Sequence, residues 1–189
     1  MKTPSDVTIV GLGYVGLPLA LAFADQLPTT GFDNDSVRIA QLLNGNDRNR
    51  EVSQEIITSS SLTLTADENS VTNADFIVVT VPTPVTEDFR PDLSLLESAS
   101  SMIGRCLRDR SDGKSAPIVV FESTTYPGCT EEVCGPIIER ESGLKSGEGF
   151  ILAYSPERTN FGDADHTLET VVKVVSGQTT EAAGIVGSV

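Results

Sequence analysis

At 189 residues, 39% of them hydrophobic, the chain is long enough for one domain with a sizeable core, or one domain plus the start of another. A formal net charge of −14 argues against nucleic acid or an anionic membrane as partner, and leaves any phosphate-bearing ligand to local dipoles and a few basic residues. Three cysteines without a Cys-x-x-Cys pair, and the single histidine His166, exclude most zinc sites and the Ser-His and Cys-His catalytic pairs; no metal centre is expected, and a reducing, cytoplasmic setting fits best.

The β-branched run Val7–Val10 leads straight into Gly11-x-Gly13-x-x-Gly16. An apolar helical run follows to about Ala24, and a second short strand ends at Asp33. That order of strand, glycine turn, helix, strand and acid is the context in which a G-x-G-x-x-G pattern signals a dinucleotide. Gly11 permits the tight turn off the strand, Gly13 lets a pyrophosphate approach the backbone, and Gly16 lets the helix pack on the sheet. The amides around Tyr14 and Val15 then face an anion at the positive end of the helix dipole. Asp33 is placed to accept hydrogen bonds from the adenosine ribose hydroxyls and to repel a 2′-phosphate, which favours NAD over NADP. Arg38 pulls the other way, because a nearby arginine can hold that phosphate. Residues 7–24 carry no charge and have something of a secretion signal about them. Three glycines and Pro18 break the run, however, and Asp6 stands where a basic leader is expected.

Asp35 is a predicted N-cap for a helix through Val37, Ile39, Leu42 and Leu43, stopped at Asn44-Gly45. A polar stretch with a short helix near Ser53 precedes a strand at 62–65. Residues 76–81 form a continuous apolar run of the kind buried in a parallel sheet, ended by Pro82-Thr83-Pro84. Asp92 is placed to cap a helix with Leu96, Ala99, Ile103 and Cys106 or Leu107 on one face. Strands follow at 117–121, 150–154 and 171–175, with a helix from Thr130 towards Ser142 kinked or interrupted at Gly135-Pro136. The segment 179–189 starts a helix and reads as cut rather than finished. Strands alternating with helices predict an α/β fold, a doubly wound, Rossmann-type, mostly parallel sheet in a single domain. Ligands then bind at the carboxyl ends of the strands, where the turns at 11–16, 82–84, 122–128 and 155–158 gather.

Four ordered motifs, Gly11-Leu-Gly-Tyr-Val-Gly-Leu-Pro18, Val81-Pro-Thr-Pro84, Glu122-Ser-Thr-Thr-Tyr-Pro-Gly128 with Thr130-Glu-Glu-Val133, and Tyr154-Ser-Pro-Glu-Arg158, make the chain resemble the UDP-glucose/GDP-mannose dehydrogenase family over essentially its whole length. The resemblance is to that family's N-terminal NAD-binding domain, and it implies an enzyme that oxidises C6 of a nucleotide-linked sugar to the carboxylate with two NAD+. Phe161 stands where the UDP-glucose branch has a second glutamate. The wording is closer to the branch that acts on UDP-N-acetylhexosamines for polysaccharide synthesis.

By resemblance, Thr83 contacts NAD, Thr124 lies near the reacting C6 and the nicotinamide, and Glu157 serves as general base directly or through a water. Arg38 is similar to a basic residue that touches the adenosine ribose. Arg158 has two readings, a contact with the substrate's phosphates or sugar and a pair with a surface acid, and Tyr126 and Asn160 are candidates for the substrate cleft without an assigned role. The family's cysteine nucleophile belongs to a C-terminal domain, in a Gly-Gly-x-Cys context absent from these residues. Cys129 is therefore read as a small loop residue, and His166 as a surface one. This chain is expected to bind NAD without turnover, as the N-terminal half of a larger enzyme whose central helical and C-terminal nucleotide-sugar domains are absent and which is a homodimer at full length. Two other classes stay open at this point: a β-hydroxyacid-type Rossmann dehydrogenase, and a stand-alone non-enzymatic NAD-binding module.

Overall fold

The computed structural model describes residues 2–158 and 172–189. The sites expected at Asn160, Phe161 and His166, and the first residue of the strand expected at 171–175, lie outside the described residues. The sheet is built outward from β1 (Val7–Val10), which runs parallel to β2 (Thr29–Phe32) on one side and to β4 (Phe76–Val79) on the other. With β3 (Thr63–Thr65), β5 (Ile118–Phe121), β6 (Ile151–Tyr154) and β7 (Ser176–Gly177), the described strands make one seven-stranded sheet in the order β3-β2-β1-β4-β5-β6-β7. Every pairing is parallel except β6 with β7. The direction of winding reverses between β1 and β4, so the loops after those strands part and leave a crevice.

Every residue of β1, β4 and β5 is buried, because helices cover both faces. On one face Val10, Ile77, Val79, Val119 and Phe121 pack against α4 (Ser94–Arg108) and α5 (Gly135–Ser142). On the other, Ile9, Phe76, Val78 and Val120 pack with α1 (Gly16–Ala24), α2 (Ser36–Leu43), α3 (Gln54–Ser59) and α6 (Thr180–Val186). Helix α4 holds Leu96, Ala99, Ile103, Cys106 and Leu107 on its buried face, as their spacing predicts. Asp35 caps α2 by accepting from the Val37 and Arg38 amides, and Asp92 accepts from the Ser94 amide just ahead of α4.

The interruption expected at Gly135-Pro136 takes the form of a π-helical turn, and two other expectations change on folding. The helix expected from Thr130 opens with a π-helical turn, Thr130–Cys134, in which the Gly135 amide donates to the Thr130 carbonyl. Pro136 has no N–H, and its ring crowds the carbonyl four residues back, so the wider turn takes up the misfit before α5 begins. The strand expected at 171–175 is displaced: residues 172–175 form no strand, and pairing starts at Ser176, antiparallel. Val172 and Val174 are exposed while Lys173 turns inward to two carboxylates, so this valine-rich run is no buried strand. The run at 76–81 ends as a strand at Val79. The Thr80 amide still donates to Val10 O (3.0 Å), but its hydroxyl joins the glycine turn.

Candidate functional site

The glycine turn is tied down from three sides. Gly11, at φ 97°, donates its amide to Phe32 O (2.8 Å) and accepts the Thr80 hydroxyl at its carbonyl (2.7 Å). Gly16 packs so closely that a Cβ there would overlap the Gly11 carbonyl oxygen. Gly13 is the opposite case: a Cβ would meet nothing within 4 Å, so the chain holds open space over this residue. Asp33, half-buried at the end of β2, accepts the Leu12 amide at Oδ2 (2.8 Å) and the Asp35 amide at Oδ1 (2.9 Å). Each carboxylate oxygen retains acceptor capacity, and the carboxylate is oriented before any ligand arrives.

Arg38 is the expectation that the structure relocates. Resemblance puts it at the adenosine ribose; in the structure its side chain is 1% exposed and sits beneath the glycine turn. Its Nε donates to Leu12 O (3.0 Å), and its Nη1 pairs with Asp47 Oδ1 at 2.7 Å. Asp47 also accepts the amides of Asn49, Glu51 and Val52. Burial alone would raise the Asp47 carboxyl, but the Arg38 guanidinium and these amides outweigh it and hold the group below its ordinary value.

Above the turn lies a cleft of about 630 Å³ at the carboxyl ends of β1, β4, β5 and β6. Gly13, Tyr14, Val15, Thr83, Thr124 and Glu157, six of the residues singled out in the sequence, line it together. The loops are stitched across strands: Thr83 Oγ1 donates to Thr124 O (2.5 Å), and Ser123 Oγ donates to Val81 O (2.5 Å). Thr124 presents an exposed side chain. Glu157 Oε1 accepts the Arg158 amide (2.7 Å). Arg158 is exposed, and its Nη1 donates to Val172 O (3.2 Å); neither it nor Tyr126 lines this cleft.

Sequence reasoning missed Glu122 and Lys173. Glu122 is 6% exposed, and burial raises its carboxyl despite the neighbouring Lys173 ammonium. A carboxylate placed directly after the fully apolar β5, at the ligand-binding end of the sheet, is a signal that could have found it. Lys173, a lone cation in a valine run, offered none.

The cysteines add no nucleophile. Burial pushes the Cys106 thiol up to about 11 and Cys134 to about 12, and it raises Cys129 as well. All three should resist Ellman's reagent in the folded chain and react fully once it is denatured; rapid labelling of Cys129 in the native state would contradict this.

The sequence model of the UDP-glucose/GDP-mannose dehydrogenase family, NAD binding domain, matches residues 5–188. The chain belongs to this family. It is 45% identical to UDP-N-acetyl-D-glucosamine 6-dehydrogenase of Pseudomonas aeruginosa over 183 residues, covering 96% of this chain and 42% of that protein. It is 44% identical to Protein CapL of Staphylococcus aureus, over 97% of this chain and 42% of CapL. The crystal structure of NDP-N-acetyl-D-galactosaminuronic acid dehydrogenase from Methanosarcina mazei Go1 superimposes with a TM-score of 0.84 at 30% identity, covering 99% of this chain and 42% of that one. The chain thus carries the family's NAD-binding domain and spans about 42% of the length of these relatives. Among the described residues, no helix is long and apolar enough to cross a membrane.

Proposed function

We propose that this chain is the NAD-binding half of a cytoplasmic nucleotide-sugar 6-dehydrogenase that oxidises C6 of a UDP-N-acetylhexosamine to the uronic acid, for polysaccharide synthesis. The observation that carries the cofactor reading is the pairing of an open Gly13 with an Asp33 carboxylate already oriented by the Leu12 and Asp35 amides. The donor set fits a dinucleotide. Gly11, Gly13, Tyr14, Val15 and Gly16 form the diphosphate cradle, Asp33 takes the adenosine ribose, and Thr83 and Thr124 border the nicotinamide end. Arg38 serves the cofactor through the turn it supports. With its guanidinium engaged below that turn, the cation that favoured a 2′-phosphate is withdrawn, and NAD is preferred over NADP.

When bound, NAD+ supplies the hydride acceptor. Thr124 holds a substrate or water oxygen through its hydroxyl, and Glu157 takes the proton from the C6 hydroxyl directly or through a water. Arg158, which lies outside the cleft on the Val172 carbonyl, would meet the substrate's phosphates or sugar only after leaving that partner. The relatives are longer than this chain, which supports further domains; by the family resemblance, those domains would supply the cysteine nucleophile and most of the nucleotide pocket, in a homodimer.

The test is calorimetry of the folded chain with NAD+ and NADP+, alongside Gly13→Ala. Because the added methyl meets no protein atom, stability should move by less than about 0.5 kcal/mol. The methyl occupies the diphosphate's approach, so NAD+ affinity should fall at least about tenfold, roughly 1.4 kcal/mol. NADP+ should bind more weakly than NAD+ throughout. No heat with NAD+ at millimolar levels, or unchanged affinity in Gly13→Ala, would sink the reading.

A further inference from the structure

Three charged side chains meet behind the cleft, and the proposed chemistry uses only one of them. Lys173 Nζ stands 3.0 Å from Glu122 Oε1 and 3.5 Å from Glu157 Oε2. The three come from separate places in the chain: Glu122 directly follows β5, Glu157 lies in the loop after β6, and Lys173 precedes β7. The cluster is largely enclosed, with side-chain exposures of 6% for Glu122, 11% for Glu157 and 23% for Lys173. Glu122 lines the cofactor cleft and also, with Lys173, a second cavity of about 530 Å³ bordered by α1 and α6. Its Oε2 is buried with no hydrogen-bond partner among the described residues, so Lys173 is the main compensation for burying this charge.

An ammonium is a compact charge with three donors, able to serve two carboxylates at once. Without it, two acids would share a poorly hydrated space and resist joint ionisation. A base that takes a proton from a sugar hydroxyl must stand ionised at working pH. We propose that Lys173 and Glu122 are positioning residues for Glu157: Lys173 holds its carboxylate ionised beside the cleft, and Glu122 anchors Lys173. The proposal rests on Glu157 as the base. Other titratable or charged groups near the cluster are Arg158, whose amide bonds Glu157, and Tyr14 and Glu51 on the cleft wall; among the described residues no further charged side chain lines either cavity.

The test is a carboxyl-carbon NMR titration of the chain labelled at glutamate, with E122Q and E157Q assigning the two signals. Lys173→Met should raise the midpoints of both Glu157 and Glu122, each by about one pH unit, while Lys173→Arg restores both. A merely structural loosening would hydrate Glu122 and lower its midpoint, so the direction separates the two causes. Should Lys173→Met fail to fold, Glu122→Gln decides: the Lys173 ammonium cross-peak, slow to exchange in the wild type, should be lost. Unmoved or falling midpoints, or an ammonium signal absent from the wild type or indifferent to Glu122→Gln, would overturn the proposal. NAD+ calorimetry on the same samples keeps the two readings apart. Shifted midpoints without NAD+ binding would condemn the dehydrogenase reading alone, and NAD+ binding with static midpoints the cluster alone.

Discussion

Gly16→Ala should cost at least about 3 kcal/mol of folding stability and abolish NAD+ binding with it. A methyl at this position would overlap the Gly11 carbonyl oxygen and stand 2.5 Å from Thr80 Oγ1. Neither neighbour can retreat cheaply. Gly11 is held to β2 through Phe32 O, and Thr80 is held by its own amide to Val10 O. Relief would have to come from lifting α1 off the sheet, and with it the residues buried on that helix. Chemical denaturation followed by circular dichroism gives the number, and a variant within about 1 kcal/mol of wild type would contradict the close packing. Set against Gly13→Ala, which should fold normally, the pair separates a glycine needed by the protein from one needed by its ligand.

Asp47→Asn should cost about 3–5 kcal/mol, because it leaves the Arg38 guanidinium buried without its counter-charge. Three loop amides would lose part of their acceptor as well. The loss should depend on pH with a definite sign. Asp47 is depressed in the folded chain, so its contribution is fully present above the unfolded carboxyl value of about 3.9 and disappears as pH falls through the folded value. The gap between wild type and variant should therefore be widest at neutral pH and close below about pH 4. Urea denaturation across that range checks it, and a gap independent of pH would rule out the ion pair as its source. NAD+ affinity should weaken too, since Arg38 also carries the Leu12 carbonyl inside the glycine turn.

Much of the scaffold was legible before folding because its signals are local. A β-branched run, a glycine-spaced turn and an acid one strand later all lie between Val7 and Asp33, and Val7–Val10, Gly16–Ala24 and Thr29–Phe32 appear where that order puts them. The cap at Asp35 was legible for the same reason: a capping side chain reaches only two or three residues ahead. The valine run before Ser176 failed as a strand prediction because apolar content does not say whether a partner strand is available.

By itself, the sequence determined the doubly wound order of strands and helices, the glycine turn with Asp33 beyond it, and the family, since periodicity and short motifs act through neighbouring residues. Only the tertiary structure decided where the charges went: Arg38 under the turn with Asp47, and Lys173 between Glu122 and Glu157. A charge can be buried only if an opposite one arrives beside it. Here the partners are 9, 16 and 51 positions apart along the chain, so it is the packing of the loops against the sheet that joins them.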